Sequence, residues 1–423
     1  MAIYSTIRLR TTVARNRCKG GEWKMVFPFQ SVQDFQIKID DEHELFRKAV
    51  REVIEAKVLP KWQEIEKTNE IPQEIFEEFA RQGFFGVGIP EEYGGQGGGQ
   101  LLQAILTEEV ARAVPSLAVA IGVNHLFGIP ILKFGTEEQK KKYIVPIAEG
   151  RAFGAHANTE PGAGSDVAGI QTKAKKENDH YIITGRKIFI SGAEKADFFV
   201  VSARTSPPKP DKRWWGISVF VVEKDTPGLK IGQRFNVIGM RGEQPYEVIL
   251  DEVKVPAENL VGPENEGFKV IVTTYDYTRI GIAAQAVGIA QATFEAAVNY
   301  ALQREAFGKR LIEFEMIIQK LADMYMKLEA ARLLTYWAAT LADEGRREFV
   351  IASSLAKAFA TESAEWIARQ AIQIHGGIGV DEETGVARYL RDAVITTIYE
   401  GTNEIQRLTI VRQLVRQLFG LKI

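Results

Sequence analysis

The spacing of apolar residues divides the chain into three zones with different predicted structures. From about residue 40 to residue 150, apolar residues recur every three or four positions, as at Leu45, Ala49 and Val53. This period is typical of amphipathic helices that place one face in a core. The glycine-rich segment 94–99 interrupts the pattern, so we expect several helices in this zone.

The middle zone, from about residue 151 to residue 262, consists of short runs of β-branched and aromatic residues. These runs predict strands at residues 181–184, 187–190, 198–203, 217–222 and 246–250. Turn-forming residues separate them, including the segment 205–210. Because no helical pattern lies between the strands, an antiparallel barrel or sandwich is favoured over a parallel α/β sheet.

The last zone has no proline after Pro263, which permits long helices. Gly308, Gly345 and the segment 376–379 are its main interruptions, and long helices with apolar stripes pack as a bundle. The stripe of the last helix is expected at Leu408, Val411, Leu414 or Val415, and Leu418. The predicted order is therefore helical, β, helical, with domains at residues 31–152, 153–264 and 265–423 after a tail at residues 1–30.

Composition and charge exclude several classes of function. The 53 basic residues nearly balance the 55 acidic ones, and a net charge of -2 gives no reason to expect nucleic acid or an anionic membrane as a partner. The two most apolar segments, 116–132 and 281–302, carry polar residues, so we interpret them as buried core helices and not as membrane spans. The five histidines are scattered without metal-ligand spacing, so we expect no metal site.

The N-terminal 24 residues contain six basic residues and one acid, a composition that fits an organellar transit peptide. We favour the alternative that the true translation start is Met25, downstream of the given one, or that these residues form a disordered tail. Cys18 is the only cysteine, so no intrachain disulfide can form and a reducing compartment is expected. We expect a cytoplasmic protein, or a mitochondrial matrix protein if residues 1–24 are a transit peptide.

Two loops carry candidate chemistry. Residues 159–166 are rich in glycine and hydroxyl side chains, which allow close approach of a ligand, although a plain turn between strands is the commoner explanation. Residues 399–404 open the last helix, with Thr402 or Asn403 as its cap. Glu400 in this loop is either a partner of the helix dipole or, in an apolar pocket that raises its pKa, a base. The residues alone leave both loops undecided.

Five motifs at characteristic spacing change this picture, because from about residue 38 to the end the chain resembles the acyl-CoA dehydrogenase family. The motifs are residues 159–166 (TEPGAGSD), 185–191 (GRKIFIS), 304–309 (REAFGK), 375–377 (HGG) and 399–407 (YEGTNEIQR). The resemblance implies an α+β fold with an N-terminal helical domain, a central antiparallel β-barrel and a C-terminal four-helix bundle.

The resemblance also implies FAD as cofactor. The positions it assigns to FAD binding are His156, Thr159, Gly164, Ser165, Phe189, Ser191, Arg304, Phe307, Gln373, Gly376, Gly377, Thr402 and Glu404. Those from Arg304 to Gly377 correspond to positions that reach the FAD of a neighbouring subunit, so a homo-oligomer, commonly a tetramer, is implied. Three departures are His156 and Asn158, where the family more often has apolar or aromatic residues, and Glu315, where many members have glutamine.

For the reaction, the resemblance implies that Glu400 removes a proton α to the thioester carbonyl of an acyl-CoA while hydride passes to the flavin. Some members carry the catalytic glutamate at the position of Thr278 instead, which leaves Glu400 as the candidate here. The positions assigned to the substrate are Ser165, Asp276, Arg279, Tyr399 and Gly401. An electron-transfer flavoprotein is the implied electron acceptor, and the length or branching of the acyl group is not predicted.

The nearest alternative is a related flavin oxidase, an acyl-CoA oxidase or a nitroalkane-oxidase-like enzyme, which passes electrons to oxygen. A nitroalkane-type site favours aspartate at position 400, and typical acyl-CoA oxidases are longer. The alternative outside the enzymes is a helical scaffold protein that binds no flavin and has lost its chemistry. The presence of Glu400 and Arg304 argues against it.

Overall fold

The computed structural model describes residue 29 and residues 31–420. The basic segment 1–24 and Cys18 lie outside the described residues. Within the described part, helical N- and C-terminal domains enclose a central β-sheet, which confirms the expected order of domains.

Helices make up the N-terminal domain, and short 3₁₀ and π-helical turns connect some of them. They are α1 (Asp41–Val53), α2 (Trp62–Thr68), α3 (Gln73–Arg81), α4 (Gly99–Ala113), α5 (Pro115–Phe134), α6 (Glu137–Gln139) and α7 (Val145–Ala148). Asp40 caps α1, because its carboxylate accepts hydrogen bonds from the backbone N–H groups of Glu42 and His43. By length and composition α5 could cross a membrane, but 61% of its most apolar window is buried inside the fold.

The central domain is a curled seven-stranded sheet. Its strands are β1 (Gly154–Ala157), β2 (Lys173–Glu177), β3 (His180–Ile190), β4 (Phe198–Arg204), β5 (Ile217–Glu223), β6 (Leu229–Arg234) and β7 (Tyr246–Pro256). The strands follow the order β1-β4-β2-β3-β7-β6, with β5 also paired to β4. Most pairs are antiparallel, as predicted, whereas β4 pairs in parallel with β1 and with β2.

The strand boundaries differ from the sequence prediction in two respects. The runs predicted at 181–184 and 187–190 form one strand, β3, whose register with β7 shifts between Ile183 and Gly185. Strands β1, β2 and β6 were not predicted. In β2, four of five residues are charged and only Ala174 is buried, so no apolar alternation marks it.

The C-terminal domain is a bundle of long helices with a short hairpin. Its elements are α8 (Gly267–Gln303), β8 (Glu305–Ala306), β9 (Lys309–Arg310), α9 (Glu315–Asp343), α10 (Phe349–His375), α11 (Val386–Thr396) and α12 (Asn403–Phe419). Helix α8 also packs against α4 and α5 of the N-terminal domain. Gly288 permits this contact, because a Cβ there would lie 2.3 Å from the carbonyl oxygen of Glu108 on α4.

Exposed large apolar side chains concentrate in the C-terminal domain. They include Phe307 at the tip of the β8–β9 hairpin, which is 97% exposed, and Leu408 and Val411 of the predicted α12 stripe. Others on α9 are Met316, Ile318, Tyr325, Met326 and Leu333. A described surface this rich in apolar side chains is typical of a protein–protein interface.

A buried ion pair fixes strand β3 to the start of the loop 159–166. Lys187 is fully buried, and its Nζ donates to Glu160 Oε1 at 2.8 Å, to the Asn158 carbonyl at 3.0 Å and to Ser202 Oγ at 3.1 Å. Burial lowers the pKa of Lys187 to about 8, while the Glu160 carboxylate opposes that shift. Since both charges are compensated within the fold, loss of either one leaves the other unpaired in the interior.

We therefore predict that Lys187→Met destabilises the protein by about 3 kcal/mol, since it leaves the buried Glu160 carboxylate without its cation. The matched control is Lys175→Met on β2, where the Lys175–Glu177 pair is exposed to solvent, so little stability should be lost. Urea denaturation followed by circular dichroism measures both. Equal losses in the two variants would contradict a structural role for the buried pair.

Candidate functional site

A cleft with about 960 Å³ of space, its open mouth included, lies where the three domains meet. Helices α4 and α5 line one side, α8 another, and β1 with the end of β3 a third. Tyr399 and Glu400, in the loop between α11 and α12, complete the wall. The site therefore draws on residues that lie far apart in the sequence.

The backbone around Glu400 is strained. Glu400 has φ of +52° and the following Gly401 has φ of +91°, so two consecutive residues are in the left-handed region. A non-glycine residue there costs about 1 kcal/mol or more and persists only where its surroundings enforce it. In this conformation Glu400 lines the cleft.

The Glu400 carboxylate lies in an environment that favours its neutral form. Its Oε2 is buried and has no hydrogen-bond partner among the described residues. Burial raises the pKa of Glu400 to about 7, while Thr278, Arg279 and Lys357 oppose the rise. A carboxylate with a pKa near neutrality can accept a proton at working pH, which is the property required of a general base.

Two buried side chains hold the loop that carries Glu400. Lys357, on α10, donates from Nζ to the Gly401 carbonyl at 2.9 Å and to Asn403 Oδ1 at 3.0 Å. Gln406 donates from Nε2 to the Gly401 carbonyl at 2.9 Å and to the Glu400 carbonyl at 3.3 Å. Burial lowers the pKa of Lys357 to about 7. Sequence reasoning missed Lys357, since a single lysine in an apolar helical run carries no motif.

The residues predicted to bind substrate lie in three places: on the cleft or directly behind it, buried next to it, and outside it. Tyr399 lines the cleft and its hydroxyl donates to Gln285 Oε1, while Gly401 lies directly behind Glu400. Arg279 is buried next to the cleft, where its guanidinium donates to Ser354 Oγ at 2.8 Å and pairs with Asp276 at 3.1 Å. The ion pair of Arg279 and Asp276 therefore stabilises the side of the cleft that α8 forms. Ser165 lies in the exposed loop 161–166, outside the cleft lining.

Four residues predicted to bind FAD lie on the cleft wall together with Glu400. They are His156, Thr159, Phe189 and Ser191. Phe189 is 53% exposed with φ of +55°, and its ring lies 4.5 Å from that of Phe235. The hydroxyls of Thr159 and Ser191 donate no hydrogen bond to a described residue. An aromatic face with two available hydroxyls on the wall of the cleft fits the planar, amphipathic ring of a flavin.

The remaining residues predicted to bind FAD do not join the cleft within one chain. Arg304, Phe307, Gln373, Gly376 and Gly377 lie exposed on the C-terminal domain, and a Cβ at either of these glycines would meet no atom within 4 Å. Gly164 has similarly open space. Thr402 caps α12 by accepting from the Ile405 N–H at 3.4 Å, and Glu404 is exposed on its first turn. An exposed guanidinium and an open glycine backbone can bind the phosphate groups of a dinucleotide. Glu315 is likewise exposed, at the start of α9.

The part of the cleft formed by α4 and α5 contains buried polar side chains among apolar ones, which the sequence did not predict. Gln103 and Thr107 are buried there, as is His125, whose Nε2 has no described partner. Burial lowers the pKa of His125 to about 4, so the ring is neutral at physiological pH. Gln285, from α8, is held by its donation to the Pro115 carbonyl at 2.9 Å. Helical periodicity assigns all of these positions to the core and gives no sign of a cavity.

Comparison with known proteins identifies relatives along the whole described chain. Family models match in order: acyl-CoA dehydrogenase N-terminal domain at residues 40–151, middle domain at 155–253 and C-terminal domain at 265–415. The probable acyl-CoA dehydrogenase YngJ of Bacillus subtilis is 42% identical over 380 residues, which cover 90% of this chain and 99% of the relative.

Two solved structures show the same fold. Butyryl-CoA dehydrogenase from Megasphaera elsdenii matches with a TM-score of 0.86 and 41% identity, over 90% of this chain and 100% of that one. A chain described as electron transferring flavoprotein of Acidaminococcus fermentans matches with a TM-score of 0.87 and 39% identity, over 90% and 100%.

We predict that Lys357→Met shifts the pH midpoint of flavin reduction upward, because removal of the cation makes ionisation of Glu400 less favourable. At pH 7 the rate should fall several-fold, and Lys357→Arg should restore part of it. Stopped-flow absorbance between pH 6 and 9 measures the midpoint. The control is Lys320→Met, whose Nζ donates to Gln370 on the bundle surface. An unshifted midpoint in a folded Lys357→Met variant would contradict this role.

Proposed function

The chain belongs to the acyl-CoA dehydrogenase family, whose members are FAD-dependent oxidoreductases that act on CH–CH bonds, and we propose that it oxidises a short-chain acyl-CoA to its trans-2-enoyl-CoA. The observation that carries the proposal is the buried Glu400 carboxylate, raised to a pKa of about 7 beside hydroxyl and aromatic groups suited to a flavin.

Glu400 acts as the base in this proposal. Its carboxylate takes the proton from the carbon α to the thioester carbonyl, while bound FAD supplies the acceptor for the hydride that leaves the β carbon. An α proton of a thioester is a weak acid, so the carbonyl oxygen needs a donor that stabilises developing negative charge. The backbone N–H of Glu400 makes no hydrogen bond to a described residue and is available for this purpose.

The buried polar side chains in the cleft support a short acyl group. Gln103, Thr107 and Gln285 lie buried there, and Tyr399 is hydrogen-bonded to Gln285 across the space. A long alkyl chain would desolvate these groups without replacing their hydrogen bonds, which is unfavourable. The Megasphaera neighbour is a butyryl-CoA dehydrogenase, in agreement with a four-carbon substrate.

Assembly of several copies would complete the cofactor site. The exposed apolar residues of α9 and α12 are suited to burial against other copies. Arg304 and Gly376 lie on the same domain, outside their own chain's cleft, so they are available to the FAD of a neighbour. We infer a homotetramer in which these residues bind the pyrophosphate across subunits.

An electron-transfer flavoprotein is the proposed acceptor of the electrons. Support comes from relatives whose names include such a protein, among them the Acidaminococcus neighbour. We also retain the cytoplasm as the proposed location, which rests on the single cysteine of the sequence.

Anaerobic titration with butyryl-CoA should bleach the flavin absorbance of the wild-type protein, whereas Glu400→Gln should remain yellow and react at least ~10²-fold more slowly. Glu383→Gln is the matched control, because this carboxylate is exposed on the turn before α11. Bleaching of Glu400→Gln at the wild-type rate would exclude Glu400 as the base. A wild-type flavin that no short acyl-CoA bleaches, or rapid peroxide release in air, would contradict the proposed function.

We further predict that Phe307→Asp lowers the assembly state and that Arg304→Ala reduces FAD retention without dissociating the subunits. Light scattering after gel filtration measures the first, and flavin absorbance after dialysis measures the second. Arg347→Ala, an exposed arginine between α9 and α10, is the control. Normal assembly in Phe307→Asp together with normal flavin content in Arg304→Ala would contradict a shared cofactor site.

A further inference from the structure

The part of the cleft formed by α4 and α5 contains a histidine nitrogen that has no partner in the described part of the chain. His125, on α5, lines the cleft, and only 7% of its surface is exposed. Its Nε2 is buried and forms no hydrogen bond with a described residue. A buried polar atom without a partner is costly, so its presence on a cavity wall indicates a partner that enters the cavity.

The backbone of Val87 determines which nitrogen of His125 carries the proton. The imidazole forms a hydrogen bond with the Val87 backbone, which partly offsets the lowering of its pKa by burial. Because Nε2 has no partner, this bond involves Nδ1, and because it favours the protonated ring, Val87 accepts through its carbonyl. The neutral ring therefore has its proton on Nδ1 and a lone pair on Nε2. His125 presents a hydrogen-bond acceptor to the cleft.

Gln103, on α4, presents a second acceptor nearby. A Cβ on Gly88 would lie 3.2 Å from both His125 Cε1 and Gln103 Cβ, so the two side chains flank the same backbone segment. The Thr107 hydroxyl donates its proton to the Gln103 carbonyl at 2.9 Å, so the same oxygen accepts from Gln103 Nε2 at 3.1 Å. Gln103 Oε1 remains as an acceptor and lies against α8, where a Cβ on Gly281 would be 3.7 Å away.

The charges on the cleft wall determine which ligand group fits these two acceptors. The described lining residues include no lysine or arginine, so a carboxylate on the ligand would have no cation to pair with. An ammonium group is also disfavoured, because Glu400 is the only acid on this lining and burial favours its neutral form. A carbonyl or ether oxygen has no proton to donate. The group that fits is uncharged and donates a hydrogen bond, and a hydroxyl is the smallest example.

We propose that the acyl group of the substrate carries a hydroxyl, which donates a hydrogen bond to His125 Nε2 beside Gln103. This inference rests on the proposed function and names the class of its substrate, a hydroxyacyl-CoA. The reaction is unchanged: the α proton and the β hydride leave, and the hydroxyl stays in the product.

The distance along α8 limits where the hydroxyl lies on the acyl chain. Thr278 interacts with the Glu400 carboxylate, which removes the α proton in the proposed reaction. Gly281, against which the Gln103 amide lies, follows Thr278 by three residues, or about 4.5 Å along the helix. This short separation favours a hydroxyl one or two carbons beyond the reacting β carbon.

The first experiment measures binding to the FAD-loaded Glu400→Gln variant by calorimetry, because this variant leaves the ligands unreacted on the timescale of the titration. It compares 4-hydroxybutyryl-CoA and 5-hydroxypentanoyl-CoA with butyryl-CoA and pentanoyl-CoA. The control is 4-fluorobutyryl-CoA, since fluorine is close to a hydroxyl in size but donates no hydrogen bond. At least one hydroxyacyl-CoA should bind about tenfold more tightly than its parent, and the fluoro compound should not. Equal affinities, or a gain that the fluoro compound shares, would overturn the inference.

The second experiment tests His125 in turnover by flavin reduction. His125→Phe keeps a planar ring and removes the acceptor, so the ratio of kcat/KM for the hydroxyacyl-CoA to that for its parent should fall from about ten to about one. His180→Phe, at the start of β3 and outside the cleft lining, should keep the wild-type ratio. An unchanged ratio in a His125→Phe protein that retains FAD would overturn the inference. If this variant loses FAD, the comparison with 4-fluorobutyryl-CoA decides without it.

The inference and the proposed function fail in different ways. Flavin reduction by butyryl-CoA, without a preference for either hydroxyacyl-CoA, refutes the inference alone. Tighter binding of a hydroxyacyl-CoA that depends on His125, without flavin reduction by any of these thioesters, refutes the proposed reaction alone.

Discussion

The rest of the structure depends on one unfavourable arrangement, a carboxylate kept away from water with one oxygen unpartnered. An isolated chain would not hold Glu400 in this state, because solvation favours the exposed anion and the left-handed backbone is strained. Three elements impose it together. Helix α8 provides Thr278 and the buried Arg279, α10 provides Lys357, and α12 provides Gln406. The reactivity of the base is therefore a property of the packed domains and not of the loop that carries it.

Helix α8 links these requirements in space. Its close contact with α4 at Gly288 fixes the distance between the N-terminal and C-terminal domains, and the cleft opens a few turns earlier along the same helix. A side chain at position 288 would separate the helices and with them the two walls of the cleft. The buried pair of Lys187 and Glu160 has a similar role in the sheet, because Lys187 binds Asn158 and Glu160, the residues on either side of Thr159.

The sequence predicted the architecture better than it predicted the site. Long proline-free helices and β-branched strands have strong patterns, so the order of domains was predictable, whereas the charged strand β2 had no pattern to detect. Residue chemistry alone did not decide the role of Glu400, since its pKa depends on distant helices, and only the resemblance to a family identified it. Lys357 and His125 were missed because burial of a polar side chain in a helix becomes visible only with its tertiary partners. Arg304 and Phe307 were recognised by motif, yet a single chain leaves them without a ligand.

Helix α5 has a consequence for how the protein is made. Its 20 residues are apolar enough to resemble a membrane span, and in the finished fold α8 covers part of them. Yet α5 ends at Phe134 and α8 begins at Gly267, so at ~5–20 residues per second the ribosome needs roughly 10–30 s to supply that cover. During this interval the nascent chain carries an apolar segment whose cover in the finished fold has not yet been made. The late synthesis of α8 therefore separates in time the two walls that later enclose the cleft.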